Sequence, residues 1–325
     1  MIKSIRNDFP GSRIRIEYML GNLCNHKCSY CFPGSNEGDH PWPDKEIVKS
    51  NLGHLLSKYK ENGRTRPILY LIGGEPTLWK DLPDVCDYFR KEFNCEIRIS
   101  TNGSKSRRWW KENCKHFDQI ELSVHHEFAN IEHLKKVGDI FYENEVFFAA
   151  NVLMDHRNFE KCKNIIDDLK TSKYEWPILA KVVQFGGQTF YTDEQKQYFD
   201  EQIKRYPNKE WYEKVGPVEI TKLFITLEDG TIKESQGDQW ISINNLNHFK
   251  GFKCNIGLEQ VKIFQNGDVT ANCRENIFGV YPPFNLYDED FKEKFNPNFE
   301  PITCTKNICS CKSEIAVTKW NPLDS

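Results

Sequence analysis

Between residues 12 and 187 short apolar runs alternate with stretches whose apolar residues recur every three or four positions. RIRIEYML (13–20) has the period of two that a half-buried strand shows. EIVKSNLGHLLSKYKE (46–61) sets Ile47, Leu52, Leu55, Leu56 and Tyr59 at helical spacing. PILYLIGG (67–74) reads as a buried strand ending in a glycine pair, and DLPDVCDYFRKEF (81–93) as a helix. The alternation continues with a strand in CEIRISTNG (95–103), a helix through Trp109, Trp110 and Cys114, and a strand in QIELSVHHEF (119–128). A helix over 130–142, a strand in EVFFAANVLM (145–154), a helix in FEKCKNIIDDLKTS (159–172) and a strand in WPILAKVVQFGG (176–187) complete it. Strands and helices in this order make βαβ units and a parallel sheet. Six units predict an α/β fold, a partial TIM-like (β/α)6 barrel with its chemistry on loops at the C-terminal ends of the strands.

The texture changes after 187. FYTDEQKQYFDEQIKRYPNKEWYE (190–213) is a polar, aromatic-rich helical connector. Two hairpin patterns follow, ITKLFITLEDGTIKE (220–234) around Asp229-Gly230 and LEQVKIFQNGDVTANC (258–273) around Asn266-Gly267. The expected division is a barrel at 1–187, a connector at 188–219 and a small β-hairpin-rich C-terminal domain at 220–325.

Charge changes this picture little: 44 basic and 47 acidic residues leave a formal net of −3, which steers toward neither nucleic acid nor membrane. KSRRWWK (105–111) is the best local polyanion candidate, and its plainer reading is a solvated helix start with tryptophan packed inward. No run reaches the apolar length of a spanning helix, and MIKSIRNDFPGSR lacks the apolar core of a signal peptide. A cytoplasmic location is expected.

The twelve cysteines matter more. Cys86, Cys95, Cys114 and Cys162 are scattered among apolar or helical residues and read as small buried hydrophobes. The other eight cluster: Cys24, Cys28 and Cys31; Cys254 and Cys273; Cys304, Cys309 and Cys311. Clustered thiols without an export signal point to metal. The first set, CxxxCxxC, follows the first of the six strands and offers three thiolates where a closed site takes four ligands. One reading is zinc, with His26 or His40 as the fourth ligand. The others are a structural cluster that borrows a distant cysteine and a 4Fe–4S cluster on three thiolates with one iron left open for a substrate.

At this point CNHKCSYC resembles the CxxxCxΦC motif of radical S-adenosylmethionine (SAM) enzymes, Tyr30 being the aromatic Φ. Gly73-Gly74-Glu75-Pro76 resembles that superfamily's GGEP run, and a glycine pair at a strand end suits close approach of backbone and ligand. The resemblance implies a 4Fe–4S cluster on Cys24, Cys28 and Cys31, its open iron chelated by SAM, with Glu75 receiving the SAM ammonium. It further implies SAM contacts from Ser100, Thr101 and Asn102 on the third strand, Ser123 on the fourth and Asn151 on the fifth, residues that otherwise read as polar strand-end caps. His125 shares strand parity with Ser123 and is the candidate catalytic contact to substrate; His126 and Glu127 are weaker candidates.

Cys254 and Cys273 bracket the second hairpin in a way that resembles the SPASM and twitch domains of the same superfamily, the last spacing being one residue longer. With Cys304, Cys309 and Cys311 they imply one auxiliary 4Fe–4S cluster held by four of the five; a zinc knot is the alternative. The implied activity is reductive cleavage of SAM to a 5′-deoxyadenosyl radical that abstracts hydrogen from a small metabolite or peptide, with a flavodoxin- or ferredoxin-type electron donor. A ribosomal-peptide maturase or epimerase, and a non-catalytic zinc or iron–sulfur binding protein, are the competing readings. Nucleic acid is disfavoured as a partner.

Overall fold

The computed structural model describes residues 1–204, 222–271, 277–278, 282–310 and 312–324. Its strands in chain order are β1 (Ile2–Asn7), β2 (Arg13–Met19), β3 (Arg66–Ile72), β4 (Glu96–Thr101), β5 (Gln119–Val124), β6 (Phe147–Met154) and β7 (Ile178–Val182). There follow β8 (Lys222–Leu227), β9 (Ile232–Gln236), β10 (Lys253–Cys254), β11 (Gln260–Ile263), β12 (Asp268–Thr270), β13 (Phe284–Asn285), β14 (Ile302–Thr303) and β15 (Lys319–Trp320).

β2 through β7 pair in sequence order, every neighbour parallel. Each crossover carries a helix: Gly53–Glu61 preceded by a π-helical turn at Val48–Leu52, then Leu82–Phe93, Arg107–Asn113, Ile131–Glu143 and Phe159–Leu169. These are the six strands and the helices that the periodicity predicts. One face of the strands (Ile14, Ile16, Leu69, Leu71, Ile97, Ile99, Ile120, Leu122, Phe148, Val152) packs against Leu55, Val85, Phe89, Trp110, Val137, Phe141 and Ile166 in a continuous core. Burying such apolar surface is the main stabilising term. KSRRWWK takes its plainer reading: the Ser106 hydroxyl caps the helix by accepting from the Trp109 N–H at 3.2 Å, and Trp110 is fully buried.

Both predicted hairpins form, yet they join different sheets. β8 and β9 pair with β1 and, through β15 and β10, with β14 in a six-stranded sheet. β11 instead lies parallel to β2, Val261 opposite Ile16, so β11, β12 and β13 extend the barrel sheet to nine strands. Each sheet therefore combines strands from both sides of the boundaries expected at 187 and 219. The N-terminal strand β1, which the pattern did not announce, belongs with the C-terminal elements. Within the expected connector, the described part forms the helix Asp193–Lys204. Residues 205–221 lie outside the described residues.

Candidate functional site

The cysteine loop leaves the C-terminal end of β2 and lies directly on the end of β3. Leu20 N–H donates to Ile72 O at 3.0 Å, Gly74 N–H to Gly21 O at 2.9 Å and Glu75 N–H to Leu23 O at 2.8 Å. A Cβ on Gly73 would stand 2.5 Å from Gly21 O, and one on Gly74 only 2.2 Å from Leu23 O. Gly73 also has φ +147. The glycine pair thus does permit close approach, but the backbone that approaches is the chain's own, just ahead of Cys24. Buried Asn22 closes the loop from inside, donating to Gly34 O at 2.9 Å and Asp39 Oδ1 at 2.5 Å while accepting from His40 N–H at 2.9 Å.

Glu75 is almost fully buried and locks two strand ends together. Its Oε1 accepts from the Thr77 and Thr101 hydroxyls at 2.6 and 2.7 Å and from Thr77 N–H at 3.2 Å, and its Oε2 accepts from Asn102 N–H at 2.7 Å. Burial raises its carboxyl above the ordinary value despite these donors. Pro76 begins the short 3-10 turn Pro76–Leu78 that Glu75 caps. Asn102 Nδ2 reaches Asn25 Oδ1 at 2.9 Å and Cys24 Sγ at 3.9 Å, so the third strand's end touches the cysteine loop.

The far side of the loop is tied to the ends of β5 and β6. Ser29 donates from N–H and hydroxyl to the Glu127 carboxylate at 2.7 and 2.6 Å, and accepts from Arg157 at 3.2 Å. Arg157 in turn is held by buried Asp155, at 2.7 Å between Nη2 and Oδ2. Tyr30 stacks on His126 with centroids 5.3 Å apart and meets His125 Nδ1 through its hydroxyl at 3.2 Å. Burial, followed by nearby His26 and His126, pushes His125 down to about 4. Ser100 and Ser123 hydroxyls lie 3.1 Å apart. Sequence reasoning gave no place to Asn22, Ser29, Asp155 or Arg157; the Ser29 partners Glu127 and Arg157 lie far along the chain.

Cys28 is buried, Cys24 half-buried and Cys31 exposed, all as free thiols. Burial, then the neighbouring Cys31, Glu127 and Cys24, pushes the Cys28 thiol up to about 12. A bound cation reverses that bias, because a metal ligand must be the thiolate. Among the described residues no three His, Cys, Asp or Glu side chains converge as a single-ion site requires. His26 does not turn to the thiols but stacks on Phe128, centroids 5.4 Å apart.

Beneath this loop the sheet lines a solvent-open cavity of about 710 Å³ reached by Cys31, Gly73, Ser123 and Asn151. His125, Glu75, Thr101 and Asn102 stand outside its lining. Its wall is charged to a degree the sequence only hinted at through polar residues at alternate strand positions. Glu17 and Lys262 form a buried ion pair at 2.8 Å, with the Ser313 hydroxyl donating to Glu17 at 2.7 Å. Glu121 accepts from Asn151 Nδ2 at 3.1 Å, while Asn151 Oδ1 is buried without a donor.

The stretch bearing Ser313, Ala316 and Val317, with Ser310 before it, helps close the cavity's side. The fully buried Asn247 fastens it by donating to Gly187 O at 2.9 Å and Cys309 O at 2.8 Å. Cys254, Cys304 and Cys309 are gathered here. Lys319 lies opposite Cys254 across the β10–β15 pair and is buried. Its Nζ donates to Glu314 O at 2.6 Å and Ile315 O at 3.1 Å. Burial opposes the charge on Lys319, but Cys309, Cys254, Glu314 and Cys304 together hold it protonated. Cys273 and Cys311 lie outside the described residues.

A partial α/β barrel with a three-cysteine loop on its first parallel strand and a glycine-rich stitch on its second defines a class of protein. Residues 18–166 match the model of the Radical SAM superfamily. Over those residues the chain carries a radical SAM domain, a family that implies a 4Fe–4S cluster and SAM. Over 92 residues it is 34% identical to the S-adenosylmethionine-dependent nucleotide dehydratase of Fibrobacter sp. (strain UWH6), covering 28% of either chain. Over 136 residues it is 27% identical to the GTP 3',8-cyclase of Psychromonas ingrahamii, covering 39% of this chain and 38% of that one. The matched part thus spans well under half the length of these curated relatives. In fold it is similar to a solved structure of native anSMEcpe with bound AdoMet and a Cp18Cys peptide, with TM-score 0.52 and 15% identity over 89% of this chain and 82% of that one. Among the described residues no helix is long and apolar enough to cross a membrane.

Proposed function

We propose that this protein is a radical SAM enzyme acting on a small polar molecule held in the barrel cavity, with a second iron–sulfur cluster at Cys254, Cys304 and Cys309 completed by Cys273 or Cys311. The observation that carries the reading is the stitch of residues 20–23 onto 72–75, which seats the three-cysteine loop on the strand ends with Cys31 reaching a large cavity of mixed polar and apolar lining. When bound, the cluster and SAM supply a 5′-deoxyadenosyl radical able to remove an unactivated hydrogen atom.

Cys24, Cys28 and Cys31 would hold the first cluster, and the donor set fits: three thiols share one loop, which is braced by Asn22 and Ser29. Ser100 and Ser123 near the ends of β4 and β5, with Asn151 within β6, would contact SAM, Asn151 Oδ1 still lacking a donor. Glu75 holds Thr101 and Asn102 in place, and the free coordination capacity of its Oε2 is what would meet an ammonium. The barrel wall fixes the substrate and excludes water, which protects a radical from side reactions. His125, neutral and bound to Tyr30, orients the loop rather than exchanging protons at neutral pH.

A small substrate is favoured over a peptide because the cavity is lined by the barrel sheet and flanked by Ser310, Ser313, Ala316 and Val317. The names of the relatives, a nucleotide dehydratase and a GTP cyclase, point the same way. The test is anaerobic reconstitution followed by dithionite and SAM. A brown protein that forms 5′-deoxyadenosine supports the reading, whereas a colourless protein carrying only zinc removes it.

A further inference from the structure

Most of the charge inside the barrel is already matched. Arg98 is held by Glu96 through Nε at 2.7 Å and Nη2 at 2.5 Å, and Lys262 is held by Glu17 at 2.8 Å. Arg15 differs. Its guanidinium lies over the Tyr70 ring, 4.5 Å from the centroid, and its Nε is buried with no acceptor. Its charge helps lower the Glu17 carboxyl, but that carboxyl is already taken by Lys262 and Ser313. Stacking fixes the face of the guanidinium and leaves its N–H edge for acceptors in its own plane.

The strand register sets a shelf around this group. Tyr70 is paired with Arg98, and Arg98 with Gln119, on one rung across β3, β4 and β5, all three lining the cavity with Arg15. Gln119 at the end of that rung has its Oε1 buried without a donor. A buried polar atom left unmatched is costly, so an orphan donor and an orphan acceptor in one cavity mark a place where a ligand supplies the partners. A plug that served only to fill the barrel would pair them, as Glu96 and Glu17 pair their neighbours.

We infer that the floor of the cavity is an anion shelf: the substrate is a small molecule bearing a carboxylate or phosphate received by Arg15 over Tyr70, with a hydrogen-bond donor turned to Gln119. The inference rests on the reading of the cavity as the substrate chamber. Asn151 and Ser123, higher on the strands, stay on the cofactor side. Arg15 sits two inward positions below Met19 on β2, so the acid group anchors one end of the substrate while its other end rises toward the cysteine loop.

Equilibrium dialysis of the reconstituted, SAM-saturated protein tests this with two probe pairs differing by the acid group: guanosine 5′-monophosphate against guanosine, and orotate against uracil. Wild type binds the acid-bearing member of at least one pair about tenfold tighter, the size of one charge-assisted contact, and the pair that responds tells phosphate from carboxylate. Arg15→Gln abolishes the preference, and Arg15→Lys restores part of it. Iron content and melting temperature confirm that each variant is folded. Acid-indifferent binding by wild type, or a preference that survives in Arg15→Gln, overturns the assignment. SAM cleavage is scored separately on the same wild-type samples, so failure of the functional reading registers as missing 5′-deoxyadenosine and not as a change in probe preference.

Discussion

Replacing Gly74 by alanine tests how the first cysteine set is positioned. The added Cβ would lie 2.2 Å from Leu23 O, 2.5 Å from Leu23 C and 2.7 Å from Asn22 C, all backbone atoms with no rotamer to yield. The 20–23 segment must therefore retreat by about 1 Å to reach ordinary contact distance. That motion strains or breaks the bonds from Gly74 N–H to Gly21 O (2.9 Å) and from Glu75 N–H to Leu23 O (2.8 Å). Two hydrogen bonds at about 1 kcal/mol each and an overpacking cost of about 1–3 kcal/mol give roughly 3–5 kcal/mol. The loop absorbs that cost by local displacement, because a surface loop opens at lower free energy than the sheet beneath it. The expected phenotype is a folded protein, judged by far-UV circular dichroism, that fails to take up its first cluster, judged by iron and acid-labile sulfide after anaerobic reconstitution. Gly11→Ala, where a Cβ meets nothing within 4 Å, serves as the silent control. Full iron and wild-type SAM cleavage in Gly74→Ala would refute the idea that this stitch sets the cysteines.

Cys28→Ala abolishes 5′-deoxyadenosine formation while leaving the fold in place; continued formation of that product in this variant would show that the cluster lies elsewhere. Lys262→Met strands the Glu17 carboxylate in the barrel and lowers stability by about 3–5 kcal/mol, which Glu17→Gln in the same chain largely restores, as urea midpoints will report. Burial works against the ionised Glu17, but Lys262 and Arg15 together hold its carboxyl below 4.5; its stabilising contribution is therefore present above that value and is lost as pH falls through the lower folded-state value. His125 is held down to about 4 from 6.5, so the unfolded chain binds the extra proton between those values and the fold weakens as pH falls below 6.5. His125→Asn should flatten that slope in a pH series of melting temperatures. Lys319→Met removes a buried cation opposite Cys254, and the midpoint of the proposed second cluster should move to a more negative potential in EPR-monitored titration, since net charge and hydrogen bonding near the thiolates tune it.

The six parallel strands and their helices were legible in the sequence because each is a local pattern: period two or a short apolar run, then period 3.6. Both hairpins were legible because Asp229-Gly230 and Asn266-Gly267 favour the turns that hairpins use. The cysteine spacing and the glycine pair announced themselves for the same reason, as short motifs. What the tertiary structure alone decided is which distant segments meet. β11 lies beside β2, and β1 lies between β8 and β15, pairings that bring together residues more than two hundred positions apart and that no local pattern encodes. Through the first of those pairings Lys262 reaches Glu17. The glycine pair could be read as a place of close approach, but only the folded chain shows that residues 21–23 are what approaches. The period of two in RIRIEYML announced a half-buried strand, whereas Arg15's position over Tyr70 and in one cavity with orphaned Gln119 depends on the pairing and register of β2 to β5. Periodicity fixes which way each side chain points relative to its own backbone; long-range pairing and register fix what it faces.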